Sequence, residues 1–328
     1  MTLRLGVGIS NSRENKVYPS GFTSAASLRA IAQGVEAAGF WSLWLNDLIT
    51  THDDARTVYP EPPNFYEVQT TCGFLAAVTS RVRLLTASIT MPLRDPIILA
   101  KETATLDQLS GGRYLLGLGL GGKRTEFERL RGRFAAKANR GKWLDESLEV
   151  LQLALSEPVV SYEGSYFSIR DAEMFPKPVQ RPYPLYLTGG GEEMLRRTAR
   201  WAKGWIHMNV SPEETTKLVG DLAASAREIG TDVSGMDVCL LFDLSVAETH
   251  AAAEERWARS CGMAISKSRG RGSASSALLG TPLEILEQLR RYEAAGATHV
   301  GLLVTGNDPA EVLEQVALLG RTVVPELS

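Results

Sequence analysis

The stretch SRVRLLTASITMPLRDPIILAKETATLDQLSGGRYLLGLGLGG, Ser80–Gly122, decides the fold. The apolar run Val82–Ile89 predicts a β-strand, and the proline-bracketed turn Met91–Pro96 leads into an amphipathic helix. That helix should end at Gly111–Gly112, because glycine adopts the left-handed conformation that stops a helix. A second apolar run begins at Tyr114 and breaks into glycines. This order of strand, helix and strand predicts two parallel, neighbouring strands.

The same alternation of apolar strands and amphipathic helices continues along the rest of the chain. Further apolar runs predict the remaining strands over Leu3–Gly8, Trp41–Leu45, Pro184–Leu187, Gly204–Met208, Val238–Val246 and Val300–Val304. Nearly continuous apolar strands indicate a sheet buried on both faces, and eight in succession favour a closed barrel over an open sheet. We therefore predict an α/β fold, a (β/α)8 TIM barrel that forms one domain over residues 1–328.

The predicted barrel carries insertions after strands 4 and 7. The first, residues 123–183, contains helical patterns and the segment Val159–Ile169, which predicts a hairpin that turns at Gly164. The second, residues 261–280, is rich in Ser, Gly, Arg and Lys, and we expect a mobile, lid-like segment. The polar loop Ile49–Pro63 is too long for an ordinary strand-to-helix connection and is typical of a functional loop.

Charge and composition exclude several classes of protein. The 35 basic and 38 acidic residues leave a net charge of −3, which gives no electrostatic reason to bind nucleic acid or an anionic membrane. No apolar run approaches the roughly 20 residues of a membrane span, and the N-terminus has no signal-peptide pattern. The three cysteines are widely spaced, and no His or Cys spacing indicates a metal site. We therefore expect a cytoplasmic protein without disulfides.

Several motifs resemble the luciferase-like flavin-dependent monooxygenase family, which includes enzymes that use the deazaflavin coenzyme F420. They are PLRDP at 92–96, AKETATLDQLSGGR at 100–113, LGLG at 116–119, PKPVQRPYPLYLTGGG at 176–191 and AKGW at 202–205. The resemblance implies a reduced flavin cofactor, FMN or coenzyme F420, and a small organic substrate that is oxygenated or reduced. If O2 is the oxidant, it also implies a separate flavin reductase as a partner. The family commonly forms homodimers, so a homodimer is expected here.

In a (β/α)8 barrel the active site lies at the C-terminal ends of the strands, and all candidate cofactor-binding residues follow that rule. These candidates are Gly8, Asp47, Ser88, Ile89, Gly117, Gly119, Gly121, Thr188, Gly189, Gly190 and Gly191.

The glycine-rich candidates each leave an alternative open. Gly117, Gly119 and Gly122 fit G-x-G-x-x-G, but they follow the fourth strand, whereas a dinucleotide fold places this motif after its first strand. They would instead let a flat or bulky group approach the barrel. Gly189–Gly191 precede a helix whose N-terminus favours an anion such as a cofactor phosphate, or they form a plain turn. The resemblance implies a non-prolyl cis peptide at Ser88–Ile89, and an ordinary trans bond is the alternative.

The candidate catalytic residues are Asp47 and His52. Many members of the family place a histidine directly after the acid that ends the second strand, where this chain has Leu48. Members that oxidise a sugar phosphate with the deazaflavin carry a glutamate where this chain has Gly122, so both departures argue against that dehydrogenase chemistry. His52 would act as a proton donor or lie solvated in its loop. Glu126 matches an acid of the family and could equally form a salt bridge or cap a helix.

The resemblance therefore predicts a flavin-dependent oxidoreductase, with monooxygenation as the expected reaction. The missing histidine and glutamate keep a non-catalytic flavin-binding barrel open as an alternative. A metal- or phosphate-dependent lyase or isomerase is a third possibility, and the lack of clustered His, Asp and Glu at the strand ends weighs against it.

Overall fold

Parallel strands close a barrel in the computed structural model, which describes residues 2–51, 61–121, 124–135, 138–268 and 277–327. Around the barrel they are β1 (Arg4–Gly8), β2 (Ser42–Leu45), β3 (Arg83–Thr86), β5 (Tyr114–Gly119), β8 (Leu185–Thr188), β9 (Gly204–Met208), β10 (Asp237–Val246) and β12 (His299–Val304). β12 pairs with β1 in a register that sets His299 opposite Arg4, and β9 pairs with β10, so the ring is complete. The predicted (β/α)8 fold is confirmed.

The third barrel strand is interrupted, where the sequence predicted one continuous strand over Val82–Ile89. β3 ends at Thr86, and a two-residue strand, β4 (Ile89–Thr90), resumes the pairing with β5. The Thr86 hydroxyl spans the gap, because it donates to the Gly117 carbonyl oxygen at 3.0 Å and accepts from the Gly117 N–H at 2.8 Å. A side chain thus replaces the regular strand pairing at this point.

A non-prolyl cis peptide bond lies inside this interruption, between Ala87 and Ser88. The resemblance implied it one bond later, at Ser88–Ile89. The difference follows from the position of the break, since Ile89 already pairs with β5 opposite Leu118 as extended strand.

Helices alternate with the strands. Outside the first insertion they are α1 (Ala25–Ala37), α2 (Val68–Val78), α3 (Pro96–Ser110), α6 (Glu192–Trp201), α7 (Pro212–Ile229), α8 (His250–Ala258), α9 (Cys261–Ser268), α10 (Pro282–Ala294), α11 (Pro309–Thr322) and α12 (Val324–Leu327). Helix α7 begins as its sequence predicts: the Ser211 hydroxyl accepts from the Glu214 N–H at 3.1 Å, and the Glu214 carboxylate accepts from the Ser211 N–H at 2.8 Å.

Between β5 and β8 the chain leaves the barrel. This excursion contains α4 (Arg124–Ala135), α5 (Arg140–Ser156) and an antiparallel hairpin of β6 (Val159–Glu163) and β7 (Ser168–Glu173). Its return is fixed near the N-terminal end of β5. The Gln180 amide nitrogen donates to Asp107 Oδ1 and to the Tyr114 carbonyl oxygen, both at 2.8 Å, and the Gln180 N–H donates to Asp107 Oδ2 at 3.0 Å.

The segment 261–280, for which the sequence predicted mobility, contains regular structure at both ends. Cys261–Ser268 forms helix α9, and Ala277–Gly280 forms a further strand, β11, which pairs in parallel with the C-terminal half of β10. The Ser, Gly, Arg and Lys residues of the segment hid these elements, although Cys261, Met263 and Leu278 are buried.

Polar side chains fill the barrel interior near its N-terminal end. The buried His299 ring contacts the Ser42 hydroxyl at 2.7 Å, and the Trp44 indole N–H donates to Ser42 at 2.8 Å. The Tyr186 hydroxyl donates to Asp237 at 2.7 Å, and Arg4 forms an ion pair with the same carboxylate. Burial lowers the pKa of His299 well below its usual value. The ring is therefore neutral at pH 7.

Among the described residues, none of the helices combines the length and apolar character that crossing a bilayer requires. The same residues contain no group of three or more His, Cys, Asp or Glu side chains arranged to hold a metal ion.

Candidate active site

A cleft of about 980 Å³ opens at the C-terminal ends of β2, β3, β5 and β8. Most of the residues that the sequence selected lie around it, namely Asp47, Ser88, Gly119, Gly121, Thr188, Gly189, Gly190 and Gly191. Strand ends that are distant in sequence are thus brought together at one mouth, as parallel barrels require. His52 lies outside the described residues.

Three of the selected residues lie in the barrel wall and do not line the cleft. A Cβ on Gly117 would lie 1.9 Å from the Thr86 carbonyl oxygen, and a Cβ on Gly8 would lie 2.2 Å from Leu303 Cδ2. Ile89 is fully buried in β4. In the part of the chain that the structure describes, these residues permit close packing of strands and offer no surface to a ligand in the cleft.

The floor of the cleft is formed by Ser88, Gly119 and Thr188. A Cβ on Gly119 would lie 3.0 Å from Ser88 Oγ and 3.4 Å from the Thr188 carbonyl oxygen, so glycine keeps this floor open. Among the described residues, Thr188 Oγ1 is buried and has no hydrogen-bond partner. A buried hydroxyl in that state is costly unless a ligand or water completes it. The floor is thus suited to a flat molecule that brings a hydrogen-bonding group to Thr188.

One wall is the glycine turn that leads into α6. Gly189 and Gly191 have φ values of +130° and +87°, which L side chains rarely adopt. The N-cap residue of α6 is Gly191, which has no side chain that could accept a hydrogen bond from the first backbone N–H groups of the helix. The Trp205 indole N–H donates to the Gly189 carbonyl oxygen at 2.8 Å and fixes the turn. Exposed N–H groups at a helix N-terminus favour an anion such as phosphate.

His207 lies beside this turn, 3.4 Å from where a Cβ of Gly190 would be. Burial lowers the pKa of His207, so it is a neutral imidazole at pH 7. Its Nδ1 accepts from the Met208 N–H at 3.0 Å, which leaves Nε2 on the side of the glycine turn.

Asp47 is buried, and both of its carboxylate oxygens are engaged. Oδ2 accepts from the Thr90 N–H at 3.0 Å, and Oδ1 accepts from Arg94 at 2.8 Å. Arg94 also lies 3.1 Å from Glu67 Oε1. Burial raises the pKa of Asp47, and the Arg94 guanidinium opposes that rise. This geometry suits a carboxylate that holds the segment after β4 in place beside the cleft.

Glu126, on α4, anchors the start of the loop after β2. Its Oε1 accepts from the Ile49 N–H at 3.2 Å, from the Thr50 N–H at 3.0 Å and from the Thr50 hydroxyl at 3.1 Å. The sequence left a salt bridge or a helix cap open for Glu126. The contacts instead tie one loop to the excursion at the edge of the cleft.

Sequence reasoning missed Arg13, which lines the cleft and is only 9% exposed. The position of Arg13 in the sequence could have indicated a role in the site, because Arg13 follows β1 and the short 3-10 turn Ser10–Ser12 at the C-terminal end of a barrel strand.

A sequence model of luciferase-like monooxygenases matches residues 3–319. The chain belongs to this family. Its members include FMN- and F420-dependent oxidoreductases, and the chain is similar to both kinds. It is 29% identical over 285 residues to the F420-dependent glucose-6-phosphate dehydrogenase of Kineococcus radiotolerans, with 77% of this chain and 80% of that protein covered. It is 26% identical over 291 residues to the FMNH2-dependent dimethylsulfone monooxygenase of Pseudomonas putida, with 80% and 78% covered.

The fold is also similar to that of solved family structures. An F420-dependent secondary alcohol dehydrogenase, in complex with an F420–acetone adduct, superposes with a TM-score of 0.81 at 19% identity, and all of both chains is covered. At that identity the likeness establishes the barrel fold alone.

Proposed function

We propose that this protein is an oxidoreductase that binds reduced FMN or coenzyme F420 in the cleft and acts on a small organic substrate. The observation that carries the proposal is the combination of an open floor at Gly119 with an uncapped glycine turn at Gly189–Gly191. A flat ring fits the first and a phosphate fits the second, and family membership makes a flavin or deazaflavin the expected occupant.

In this proposal each part of the cleft has a distinct task. The bound cofactor supplies the electrons. The N–H groups of the glycine turn would hold its phosphate, and Thr188 and Ser88 would contact its ring. Asp47 keeps the segment after β4 fixed, and Glu126 holds the loop that begins at Ile49 against α4. Held there, the start of this loop would limit the access of water to the reacting atoms.

We favour monooxygenation, with O2 as oxidant and a separate flavin reductase as partner, because Leu48 stands where many members of the family carry a histidine and Gly122 where the sugar-phosphate dehydrogenases carry a glutamate. Both carboxylate oxygens of Asp47 accept hydrogen bonds, from Thr90 and Arg94. We therefore assign Asp47 a positioning role and no part in proton transfer. His52 stays a candidate proton donor.

The test is a titration of the apo-protein with FMN and with coenzyme F420, each oxidised and reduced, followed by fluorescence. Selective binding of one identifies the cofactor, and binding of neither contradicts the proposal. Gly119→Ala places a methyl group on the floor and should weaken binding about tenfold. The matched control is Gly73→Ala on α2, where a Cβ would meet nothing within 4 Å. Equal losses in both variants would show that the floor does not contact the cofactor.

A homodimer is part of the proposal. Ile98 and Leu109 on α3 are exposed apolar side chains, at 58% and 77%, and a second copy of the chain would cover them. Light scattering should give twice the mass of the chain, and a monomer mass would contradict this assignment.

A further inference from the structure

Arg13 is a buried cation that lines the cleft. Its Nε is buried and has no hydrogen-bond partner in the part of the chain that the structure describes. Among the described residues, no carboxylate lies within the 4.0 Å that defines an ion pair with it. Asp243 on β10 is the carboxylate that acts on it electrostatically from farther away. A buried guanidinium in this state is costly, and an anion in the cleft would complete it.

The loop around Arg13 holds this cation in place. The Arg13 carbonyl oxygen accepts from the Val17 N–H at 2.9 Å and from the Lys16 N–H at 3.1 Å. The next residue, Glu14, is fully buried and accepts from the Thr23 and Asn64 N–H groups through its two oxygens. The backbone that carries Arg13 is therefore fixed, and the burial of the side chain limits the positions open to its guanidinium.

Arg197 also lines the cleft, and its guanidinium has a carboxylate partner. Arg197 binds Asp145 through Nε at 2.5 Å and through its terminal nitrogen at 2.9 Å. That bidentate pair uses both carboxylate oxygens and leaves little capacity for a ligand. Arg13 has the same fork of donors and no such carboxylate among the described residues.

The position of Arg13 separates it from the proposed phosphate site. Arg13 follows β1 and the glycine turn follows β8, and these strands are four steps apart in either direction around the barrel. A barrel of eight strands spaced about 4.8 Å apart and tilted by about 36° is roughly 15 Å across. The two anion-binding groups therefore lie on opposite sides of the mouth, and one phosphate cannot use both.

We propose that Arg13 recognises a carboxylate on the organic substrate, at the end of the cleft opposite the glycine turn. This inference rests on the proposed function for the identity of the cleft as a substrate site. The planar guanidinium presents parallel N–H donors that match a carboxylate in a bidentate arrangement. Asp243 competes for the same guanidinium, so the substrate carboxylate displaces a weaker, more distant interaction.

The test uses benzoate as the anionic probe and benzamide as its neutral isostere, with binding measured by calorimetry. The wild-type protein should bind benzoate about tenfold more tightly than benzamide. Arg13→Gln should abolish that preference, and Arg13→Lys should retain part of it. The matched control is Arg29→Gln, which removes an exposed arginine from α1. Asp243→Asn, which leaves Arg13 intact, should tighten benzoate binding.

Equal binding of benzoate and benzamide to the wild-type protein, or a preference that survives Arg13→Gln, would overturn the proposal. Tighter binding of benzenesulfonate or phenyl phosphate would overturn the carboxylate assignment. The FMN and F420 titration is repeated on Arg13→Gln, where cofactor binding should be unchanged. Failure of the wild-type protein to bind either cofactor, with its benzoate preference intact, would refute the proposed function and leave the anion subsite standing.

Discussion

Replacement of Gly117 by alanine tests the interruption of the third strand. The added Cβ would lie 1.9 Å from the Thr86 carbonyl oxygen, a backbone atom that cannot rotate away. β5 and the end of β3 would have to separate by about 1.5 Å to restore van der Waals contact. The same movement would stretch both hydrogen bonds between the Thr86 hydroxyl and Gly117, now 2.8 Å and 3.0 Å.

The expected loss of stability follows from these contacts. Overpacking in a rigid wall costs about 1–3 kcal/mol, and each weakened buried hydrogen bond costs about 1 kcal/mol. The free energy of unfolding should therefore fall by about 3–5 kcal/mol. For a chain of this size that corresponds to a decrease in melting temperature on the order of 10 °C.

The assay is thermal and urea unfolding of Gly117→Ala beside Gly119→Ala. The control lies two residues further on in the same strand, so the effect of glycine replacement on the unfolded chain is shared. Its Cβ would lie 3.0 Å from Ser88 Oγ, which can rotate, and we expect a loss below about 1 kcal/mol. Similar melting temperatures for the two variants would refute the role assigned to the Thr86–Gly117 contact.

Three further predictions concern buried polar groups. Asp47→Asn should lower the free energy of unfolding by about 2–3 kcal/mol, measured with urea, because Arg94 keeps its charge and loses a buried partner; an unchanged midpoint would contradict this. The folded-state pKa of His299 lies below its unfolded value, so its contribution to stability is complete above about pH 6.5 and falls by about 1.4 kcal/mol per pH unit below it. His299→Asn should remove that slope from urea unfolding between pH 7.5 and 5.5, and an identical slope in the variant would exclude His299 as its source. Glu126→Ala should raise the hydrogen-exchange rate of the Thr50 amide about tenfold or more, whereas unchanged protection would show that this contact does not hold the loop.

The barrel could be predicted from sequence because its strands carry a simple signal. Strands buried on both faces are almost wholly apolar, and capped helices such as α7 separate them. The interruption at Ala87 could not be predicted, because Val82–Ile89 is rich in strand-forming residues and contains no glycine or proline. It depends on the Thr86 hydroxyl reaching Gly117, a contact between residues 31 positions apart.

The site was harder to predict because its roles depend on contacts between distant residues. Sequence placed Asp47 at the mouth correctly, but its role depends on Arg94 and Thr90, more than 40 positions away. The glycines of β5 do not all have the same role: Gly119 lines the cleft, whereas Gly117 lies in the barrel wall against Thr86. The sequence alone does not distinguish these two roles. Arg13 was missed because an arginine in a polar loop is ordinarily solvated, and nothing local indicates its burial.

The fixed base of the excursion between β5 and β8 has a consequence for engineering. The two strands that it connects are neighbours, with Leu116 opposite Leu185, and Gln180 clasps the returning chain to Asp107 and Tyr114. The returning end of the excursion is therefore anchored to the barrel by Gln180. The helices and hairpin of this segment could be replaced by those of another barrel without a change in the pairing of the two strands that carry the cleft floor.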